Sequence, residues 1–494
     1  MDLRLFSRLV FLRAARRRRD HWDAARITAH QDHALQELRS AAYAGSAFYR
    51  RHHAGLRDAP LDQLPPVTKA DLMDHFDEAV TAPGLRLADL ENHLRALAQS
   101  DGDPGLPWQG RWWAAATAGT TGRRGTFVWN RAEWATVLAS YARANDWAGI
   151  PVGLTRPLKM ALISSRVPTH QSAVVGASVR SRLVPALRLD VTAPMAETVA
   201  ALNRFQPRVL VGYASALKPL AAEQRAGRLH ISPEGVMSAS EVLSPHAAAE
   251  LEAAWGSKPF DVYAATETAG IASPCTHQNR HVYEDLLIVE PVDQAGTPVP
   301  AGTTGAKLLV TVLFSRTLPL IRYEMSDTIK LGGRGCPCGR SFTLLHEIEG
   351  RMEDVLHLPG KAGRVAIHPI VFHHILDEAG RNGWQVVQEP LRLRVLLCGL
   401  APGASMEGVR DAVTGALKTA GAMDTRVDVE LVDRLERTAL EKHPSYGACA
   451  ASHDISTEHR IGENEKGGAA APPFPSPKPT APRCRFRPHS SGHG

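Results

Sequence analysis

The sequence lacks long hydrophobic runs. In a chain of 494 residues, a stretch such as LLVTVLF at 308–314 has only the length of a strand, and it is too short to cross a bilayer. The first twenty residues also lack the uninterrupted apolar stretch, followed by small residues, that marks a secretory signal. We therefore expect a cytoplasmic protein with no membrane span.

Cysteine is scarce as well. The chain has six cysteines, at positions 275, 336, 338, 398, 449 and 484. So few cysteines in a long chain argue against a disulfide scaffold and favour a reducing compartment.

The net charge is +6 with a pI near 9.0, and part of this excess comes from four arginines at 16–19. Aromatic residues are not interleaved with the basic ones, so a single-strand nucleic-acid surface is not expected. The segment before this run has an apolar stripe. It predicts an amphipathic surface helix that ends in a solvated basic run, rather than a membrane or nucleic-acid site.

With 44% apolar and 22% charged residues, the composition is that of a globular protein. Helical spacing dominates residues 21–100, with Thr68 as an expected N-cap. Strands alternate with helices from about 155 to 350, which predicts an α/β fold with mainly parallel sheets. A smaller α+β region of the split βαβ, ferredoxin-like kind follows. The predicted parts are a basic helical segment (1–34), a large N-terminal domain (35–350), a mobile C-terminal lid (351–445) and a disordered tail (446–494).

A glycine- and threonine-rich segment, TAGTTGRRGTF at 117–127, is the most informative motif. Its glycines allow tight turns that expose backbone N–H groups, and its threonines and arginines add hydroxyl donors and positive charge. Such a loop can wrap a polyphosphate. It is not a Walker loop, because the Gly-Lys-Thr ending is missing. An ordinary chain turn is the alternative.

A second motif, YAATETAG at 263–270, follows a predicted strand. Ligands of open α/β sheets bind at the carboxyl ends of strands. There Glu267 offers a hard oxygen ligand for the Mg²⁺ that accompanies ATP, and Tyr263 offers a flat face for adenine. A plain helix start capped by Thr266 is the alternative. Further on, Asp327 can accept hydrogen bonds from ribose hydroxyls, and Arg351 lies at the predicted domain junction.

These motifs occur in an order that resembles the acyl-adenylate-forming enzyme superfamily and, within it, the phenylacetate–CoA ligase group. LPPVTKADL, SASEVLS and CPCGR also resemble that group, and the resemblance covers roughly residues 35 to 445. It implies ATP, Mg²⁺ and coenzyme A as cofactors. It implies that the ATP phosphates are bound by a loop of Thr117, Ala118, Gly119, Thr120, Thr121 and Gly122, with a further contact from Thr266. Adenine would be bound by Ser240, Glu241 and Tyr263, and ribose by Asp327 and Arg351. Glu353 would lie at the hinge between the domains.

Two details depart from the family pattern. Arg123 and Arg124 stand where the family usually has Lys-Pro, and Tyr-Ala-Ala-Thr-Glu replaces Tyr-Gly-x-Thr-Glu. The extra methyl group of alanine narrows the pocket, but neither change removes a charged group that the chemistry needs.

A metal site is indicated by two short ligand clusters. Cys275 with His281, and Cys336 with Cys338, supply sulfur and imidazole ligands for a four-coordinate structural zinc. His277 is a rival for the histidine position. The phenylacetate–CoA ligase group has a similar arrangement beside an acidic pair, matched here by Glu284 and Asp285.

The resemblance also implies a mobile lysine that stabilises the charge of adenylation, and Lys442 is the candidate. The family has glycine before this lysine, whereas this chain has Glu441. For the acyl pocket, VGYASA at 211–216 makes Tyr213 a candidate substrate contact, while His170 and Gln171 are placed on a loop.

The expected reaction is adenylation of a carboxylic acid, with an aromatic acid favoured, followed by transfer to coenzyme A. One alternative is an adenylyltransferase with another acceptor, such as a deazaflavin coenzyme or a carrier protein. The other is a nucleotide-binding protein whose catalysis has decayed, which Glu441 motivates.

Overall fold

The computed structural model describes most of the first 449 residues, which form one compact unit. The described ranges are 3–100, 102–117, 124–153, 155–351, 356–361, 363–367, 370–380, 383–389, 392–423, 425–433, residue 435 and the backbone of 446–448.

Helices dominate the first hundred residues, as predicted. They are α1 (Leu3–Arg19), α2 (Ala24–Gly45), α3 (Ala47–His52), α4 (Lys69–Asp74), α5 (Phe76–Ala79) and α6 (Leu87–Ala98), with a 3-10 turn at Leu61–Gln63. The expected cap is confirmed, because the Thr68 side chain accepts from the Asp71 amide and the Asp71 carboxylate accepts from the Thr68 amide. Across the described part of the chain, no helix combines the length and apolarity needed to cross a membrane.

A hairpin of β1 (Trp112–Ala116) and β2 (Thr126–Asn130) leads into the long helix α7 (Arg131–Trp147). Asn130 begins α7 with a capping box, in which its side chain accepts from the Glu133 amide and Glu133 accepts from the Asn130 amide. The hairpin and α7 pack through large rings, including Trp113 and Trp134, which are both buried. The loop that joins β1 to β2 is the glycine- and threonine-rich segment.

A seven-stranded sheet forms the centre of the fold. Its spatial order is β4 (Ala186–Asp190), β3 (Met160–Ser164), β5 (Val209–Gly212), β6 (Gly235–Ala239), β7 (Phe260–Ala265), β8 (Ala269–Pro274) and β9 (Arg280–Val282). The first five strands are parallel and the last two antiparallel. The connecting helices are α8 (Gln171–Ser178), α9 (Met195–Phe205), α10 (Ala214–Arg225) and α11 (Pro245–Trp255). The predicted α/β arrangement with a mainly parallel sheet is confirmed here.

Smaller antiparallel sheets follow. One contains β10 (Leu287–Val292), β11 (Lys307–Val312) and β12 (Tyr323–Met325), and another contains β13 (Asp327–Leu331) and β14 (Leu345–Arg351). The loop between β13 and β14 carries Cys336 and Cys338 back towards β8 and β9.

Most of the last described elements lie at predicted positions, but the first and the last strand were not predicted, and the last strand falls in the segment predicted to be a disordered tail. They are β15 (Leu356–Gly360), β16 (Gly363–Ile367), α12 (Ile370–Ala379), β17 (Trp384–Glu389), β18 (Arg392–Leu397), α13 (Met406–Thr419), β19 (Arg426–Leu431) and β20 (Tyr446–Ala448). The sheet order is β19-β18-β17-β20, whereas β16 pairs with β15. A ferredoxin-like domain would place a strand between β18 and β19, which are direct parallel neighbours here. The ferredoxin-like form is therefore not confirmed.

The N-terminal helix corrects one expectation. Arg16, predicted to be solvated, is buried between α1 and α7 and donates to the carbonyl oxygen of Thr136 at 3.2 Å. Arg17 is exposed but donates to Asp146 at 2.7 Å. Spacing along the run could not reveal this, because the partners of Arg16 and Arg17 belong to α7, which lies about 120 to 130 residues away in sequence.

Candidate active site and metal centre

The carboxyl ends of the parallel strands collect many of the predicted site residues. Tyr213 directly follows β5, Ser240 follows β6, and Thr266 with Glu267 follows β7. Because neighbouring parallel strands end at the same edge of a sheet, these residues line one edge. Thr266 and Glu267 are half-buried, so a ligand can reach them from this edge.

The end of β6 is fixed to the start of α10. The carboxylate of Glu241 accepts hydrogen bonds from the amide of Ser215 at 2.9 Å and from its hydroxyl at 3.0 Å. A carboxylate at a helix N-terminus is favoured by the helix dipole. Ser240 has a left-handed φ of 70°, which lets the chain turn sharply after the strand. The turn at Ser240 and Glu241, which is predicted to line adenine, is thus held in place by the hydrogen bonds that Glu241 accepts from Ser215.

Tyr213 is almost fully buried, with 3% of its surface exposed. Its hydroxyl oxygen accepts a hydrogen bond from the backbone amide of Ser165 at 3.2 Å, and Ser165 follows β3. The hydroxyl of Ser165 lies 3.1 Å from Nδ1 of His170. The predicted substrate contact therefore belongs to a small buried polar group that spans the ends of β3 and β5.

The base of the phosphate loop is closed by two hydrogen bonds. The amide of Thr117 donates to the carbonyl of Gly125, and the amide of Gly125 donates to Oγ1 of Thr117, both at 2.9 Å. A side chain at Gly125 would lie 2.9 Å from the Phe127 ring, which explains the glycine. The remaining predicted loop residues lie outside the described residues: Ala118, Gly119, Thr120, Thr121 and Gly122.

A short segment before α8 connects this loop base to β7. The carbonyl of Thr169 accepts from the Ala116 amide at 2.8 Å, and its hydroxyl accepts from Arg124 at 2.6 Å. His170 and Gln171, predicted to lie on a loop, are instead the buried N-cap and first residue of α8. Nε2 of Gln171 donates to the carbonyl of Thr266 at 2.9 Å. The loop base and the Thr-Glu pair therefore rest on the same segment, although they are about 140 residues apart in sequence.

The side chain of Gln171 is fixed by a second hydrogen bond, which its Oε1 accepts from the hydroxyl of Tyr141 at 2.6 Å. Burial raises the pKa of Tyr141, and the nearby carboxylate of Glu267 raises it further. Tyr141 therefore stays protonated and acts as a donor. This support could not be predicted, since nothing in the sequence of helix α7 marks Tyr141 as different from its neighbours.

The predicted ribose residues are neighbours in the backbone. Asp327 begins β13, and its partner across the sheet is Arg351 at the end of β14. Two other predicted residues, Glu353 at the hinge and Lys442, lie outside the described residues.

The four predicted metal ligands form one cluster. The ligand atoms of Cys275, His281, Cys336 and Cys338 all lie within 4.8 Å of one another. The Sγ atoms of Cys275 and Cys336 are 3.7 Å apart, and Sγ of Cys338 is 3.3 Å from Nε2 of His281. Tetrahedral zinc with ligand bonds of about 2.0–2.3 Å separates two sulfurs by about 3.8 Å and a sulfur from a nitrogen by about 3.5 Å. The cluster therefore has the size that zinc requires.

The surroundings orient the ligands. Nδ1 of His281 lies 3.2 Å from the carbonyl of Phe342, which fits a protonated Nδ1 and leaves the lone pair of Nε2 for a metal. The side-chain amide nitrogen of Asn279, Nδ2, donates to Sγ of Cys336 at 3.3 Å. His277, the rival ligand, is not part of the cluster.

Both carboxylates of the acidic pair near the cluster, Glu284 and Asp285, accept hydrogen bonds. Glu284 accepts from the Thr343 amide and from Arg334, both at 2.7 Å. Asp285 is completely buried and accepts two hydrogen bonds from Arg143, at 2.6 and 2.9 Å. Burial alone would raise the pKa of Asp285, but Arg143 and the nearby arginines of α1 hold it below its usual value. This buried pair was not predicted, and the signal that could have shown it is an arginine in the mostly apolar stretch of α7 that follows Glu133.

The fold is shared with solved adenylate-forming ligases. The chain superimposes on 2-hydroxyisobutyryl-CoA ligase in complex with 2-HIB-AMP with a TM-score of 0.66, over 88% of this chain and 92% of that chain at 21% identity. An open conformation of the same ligase with 2-HIB-AMP and CoA gives a TM-score of 0.56, at 20% identity over 88% and 94% of the two chains. At this identity the likeness defines the class of fold.

Two ligases of known name are similar to the chain in sequence. The chain is 27% identical over 359 residues to phenylacetate–coenzyme A ligase of Thermus thermophilus, covering 68% of this chain and 72% of the relative. A ligase of the same name from Aromatoleum evansii is 31% identical over 117 residues, 23% of this chain and 26% of that one. No family model matches the chain. The resemblance to the phenylacetate–CoA ligase group, first indicated by the motifs, is confirmed.

Proposed function

We propose that this protein uses Mg·ATP to adenylate a carboxylic acid and then transfers the acyl group to coenzyme A. One observation carries the proposal. The base of the phosphate loop at Thr117 and the Thr266–Glu267 pair are joined through the 169–171 segment at the carboxyl edge of a parallel sheet. A metal–nucleotide complex at this edge would contact both.

Each site residue has one assigned role. The phosphate groups are bound by the loop from Thr117 to Gly122 and by Thr266, adenine by Ser240, Glu241 and Tyr263, ribose by Asp327 and Arg351, and Mg²⁺ by Glu267. Lys442 neutralises the charge that develops during adenylation. These groups position the reactants and stabilise charge, and none of them forms a covalent bond with the substrate.

The reaction has two balanced steps. A carboxylate oxygen attacks the α-phosphorus in line and displaces pyrophosphate, which gives an acyl-AMP. The thiolate of coenzyme A then attacks the acyl carbon, and AMP leaves with the bonding electron pair. Between the steps, the 351–445 lid rotates about a hinge at Glu353, so that one site serves both reactions.

The metal cluster is assigned to a structural zinc. Three thiolates and one imidazole leave no open coordination position, so the ion stabilises the fold and does not bind substrate. It joins the β8–β9 hairpin to the loop between β13 and β14. Because β13 begins with Asp327, the zinc also steadies the strand that carries the ribose contact. Free cysteines in this cluster fit the reducing cytoplasm proposed as the compartment.

The favoured substrate is an aromatic acid. Both curated relatives are named phenylacetate–coenzyme A ligases, and the buried aromatic ring of Tyr213 lies directly after β5, at the edge where the acid would bind. The ligase that shares the fold is named for a small hydroxy acid instead, so the choice of acid must be tested directly.

A panel of carboxylic acids scored by pyrophosphate release tests the proposal. Release should require ATP, Mg²⁺ and an acid, with arylacetic and benzoic acids ahead of short hydroxy acids, and AMP should appear only when coenzyme A is added. Acid-dependent pyrophosphate release without AMP release would point to another acceptor. ATP binding with no release for any acid would mean that catalysis has been lost.

A further inference from the structure

A cleft rich in arginine lies on the surface of α1. It has a volume of about 720 Å³ and is lined by Arg4, Arg8 and Phe11 of α1 together with Arg111 and Arg131. We call it the arginine cleft. It brings together two segments that are about one hundred residues apart, so it could not be predicted from local sequence.

The arginine cleft is separate from the candidate active site. Arg111 and Arg131 flank the end of the β1–β2 hairpin at which Trp112 pairs with Asn130, whereas the phosphate loop joins the opposite end, at Ala116 and Thr126. Four residue steps along a strand place these ends about 14 Å apart. A ligand in the arginine cleft would therefore not occupy the candidate nucleotide site.

Its electrostatic character is uniform. Four guanidinium groups line the cleft, and the lining residues that the structure describes include no carboxylate. Arg131 donates to the carbonyl of Gly110 at 3.3 Å, and Arg111 lies over the ring of Trp112 at 5.0 Å. Like charges gathered in one cleft attract an anion, and guanidinium groups suit phosphate oxygens because they offer two parallel donors.

Apolar side chains project beside these charges. Phe11 is 71% exposed and Val10 is 52% exposed on α1, although both belong to a helix whose other face packs on α7 through Leu5 and Arg16. Positions 4, 8 and 11 share one face of a helix. A dissolved phosphate would gain nothing from an exposed phenyl ring, whereas a lipid interface accommodates both the ring and the cations.

We propose that the outward face of α1, with the arginine cleft, binds the anionic phospholipid surface of a membrane. Phosphate and other acidic headgroups occupy the cleft, and Phe11 and Val10 enter the boundary between headgroups and acyl chains. The protein would then bind peripherally, with its catalytic edge still open to water. The sequence predicted only that α1 is a surface helix. The proposal makes its outward side a binding surface.

Sedimentation of the full chain with vesicles tests this. Binding is expected to vesicles of phosphatidylcholine with about one third phosphatidylglycerol, weakening as salt rises, and not to phosphatidylcholine alone. Arg8→Glu should lower the partition coefficient about tenfold, because it reverses a charge next to the headgroups. Phe11→Ser should lower it roughly fivefold through loss of the inserted ring. Unchanged melting temperatures of both variants would show that the fold is intact.

Two matched controls lie elsewhere on the surface. Arg410→Glu makes the same charge change on exposed helix α13, and Leu431→Ser removes another exposed apolar side chain. Both should bind vesicles like the unaltered chain. The proposal is overturned if the unaltered chain ignores anionic vesicles, or if Arg8→Glu and Arg410→Glu weaken binding equally. It is also overturned if Phe11→Ser has no effect. A melting-temperature shift with sodium pyrophosphate that Arg8→Glu abolishes, without vesicle binding, would assign the cleft to a soluble phosphate.

Discussion

The metal cluster and the carboxyl edge of the large sheet satisfy their polar groups differently. In the cluster, four ligand atoms point at one another in a buried space, with their outer sides held by Phe342 and Asn279. At the sheet edge, backbone and side-chain groups bond to each other, while Thr266 and Glu267 stay half-buried. A closed arrangement suits an ion that never leaves, and an open one suits a ligand that must come and go.

The largest effect on stability should come from removing a ligand of the metal cluster. Cys336→Ser removes one of the four proposed zinc ligands from a partly buried cluster, and we expect a loss of about 4 kcal/mol of unfolding free energy. For a unit of this size the melting temperature should fall by about 4 °C, and metal analysis should find no bound zinc. Cys398→Ser, outside the cluster, is the control and should keep its zinc. Full zinc content in Cys336→Ser would contradict the ligand assignment.

The next largest effect concerns the buried ion pair beneath the cluster. Asp285→Asn leaves Arg143 buried with only the more distant carboxylate of Asp20, at 3.9 Å, as a counter-charge, which should cost about 3 kcal/mol, measured by chemical denaturation. Glu347→Gln, in an exposed pair with Lys330, should cost less than about 0.5 kcal/mol. Because Arg143 holds the pKa of Asp285 below its usual value, this stabilisation is complete above the unfolded pKa and declines as the pH falls below it. Equal costs for the two variants would contradict the inferred role of burial.

At the open edge, a change should affect catalysis and not folding. Glu267→Gln keeps the shape of the side chain but removes the charge that would bind Mg²⁺, so acid-dependent pyrophosphate release should fall about 100-fold. The melting temperature and zinc content should stay unchanged. Glu234→Gln, just before β6 at the amino edge of the same sheet, is the matched control and should keep full activity. A similar loss in both variants would remove the distinction between the two edges.

The smallest effect should come from the support behind the edge. Gln171→Leu removes the hydrogen bond to the carbonyl of Thr266, and we expect about a tenfold lower kcat with KM for ATP nearly unchanged. Tyr141→Phe removes only the donor behind Gln171 and should have a smaller effect. If Gln171→Leu lowers only the melting temperature, then Gln171 supports the fold and does not position Thr266.

The sequence predicted the order of the central elements well. The strand at 260–265 and the helix at 245–255 have the predicted bounds, because alternating apolar strands and capped helices are local patterns. The cysteines and histidine of the cluster were also predicted, since metal ligands are few and chemically distinct. Contacts such as Gln171 with Thr266 could not be predicted, because a glutamine has no local feature that reveals a partner ninety-five residues away.

By itself, the sequence determined the α/β class, the residue types available for a nucleotide and a metal, and the likeness to phenylacetate–CoA ligases. Only the tertiary structure decided that Arg16 is buried, that Asp285 is paired with Arg143, and that four arginines share a cleft beside Phe11. Local propensity and side-chain chemistry are properties of short segments. Burial and charge pairing depend on which distant segments meet, and that is determined when the whole chain packs.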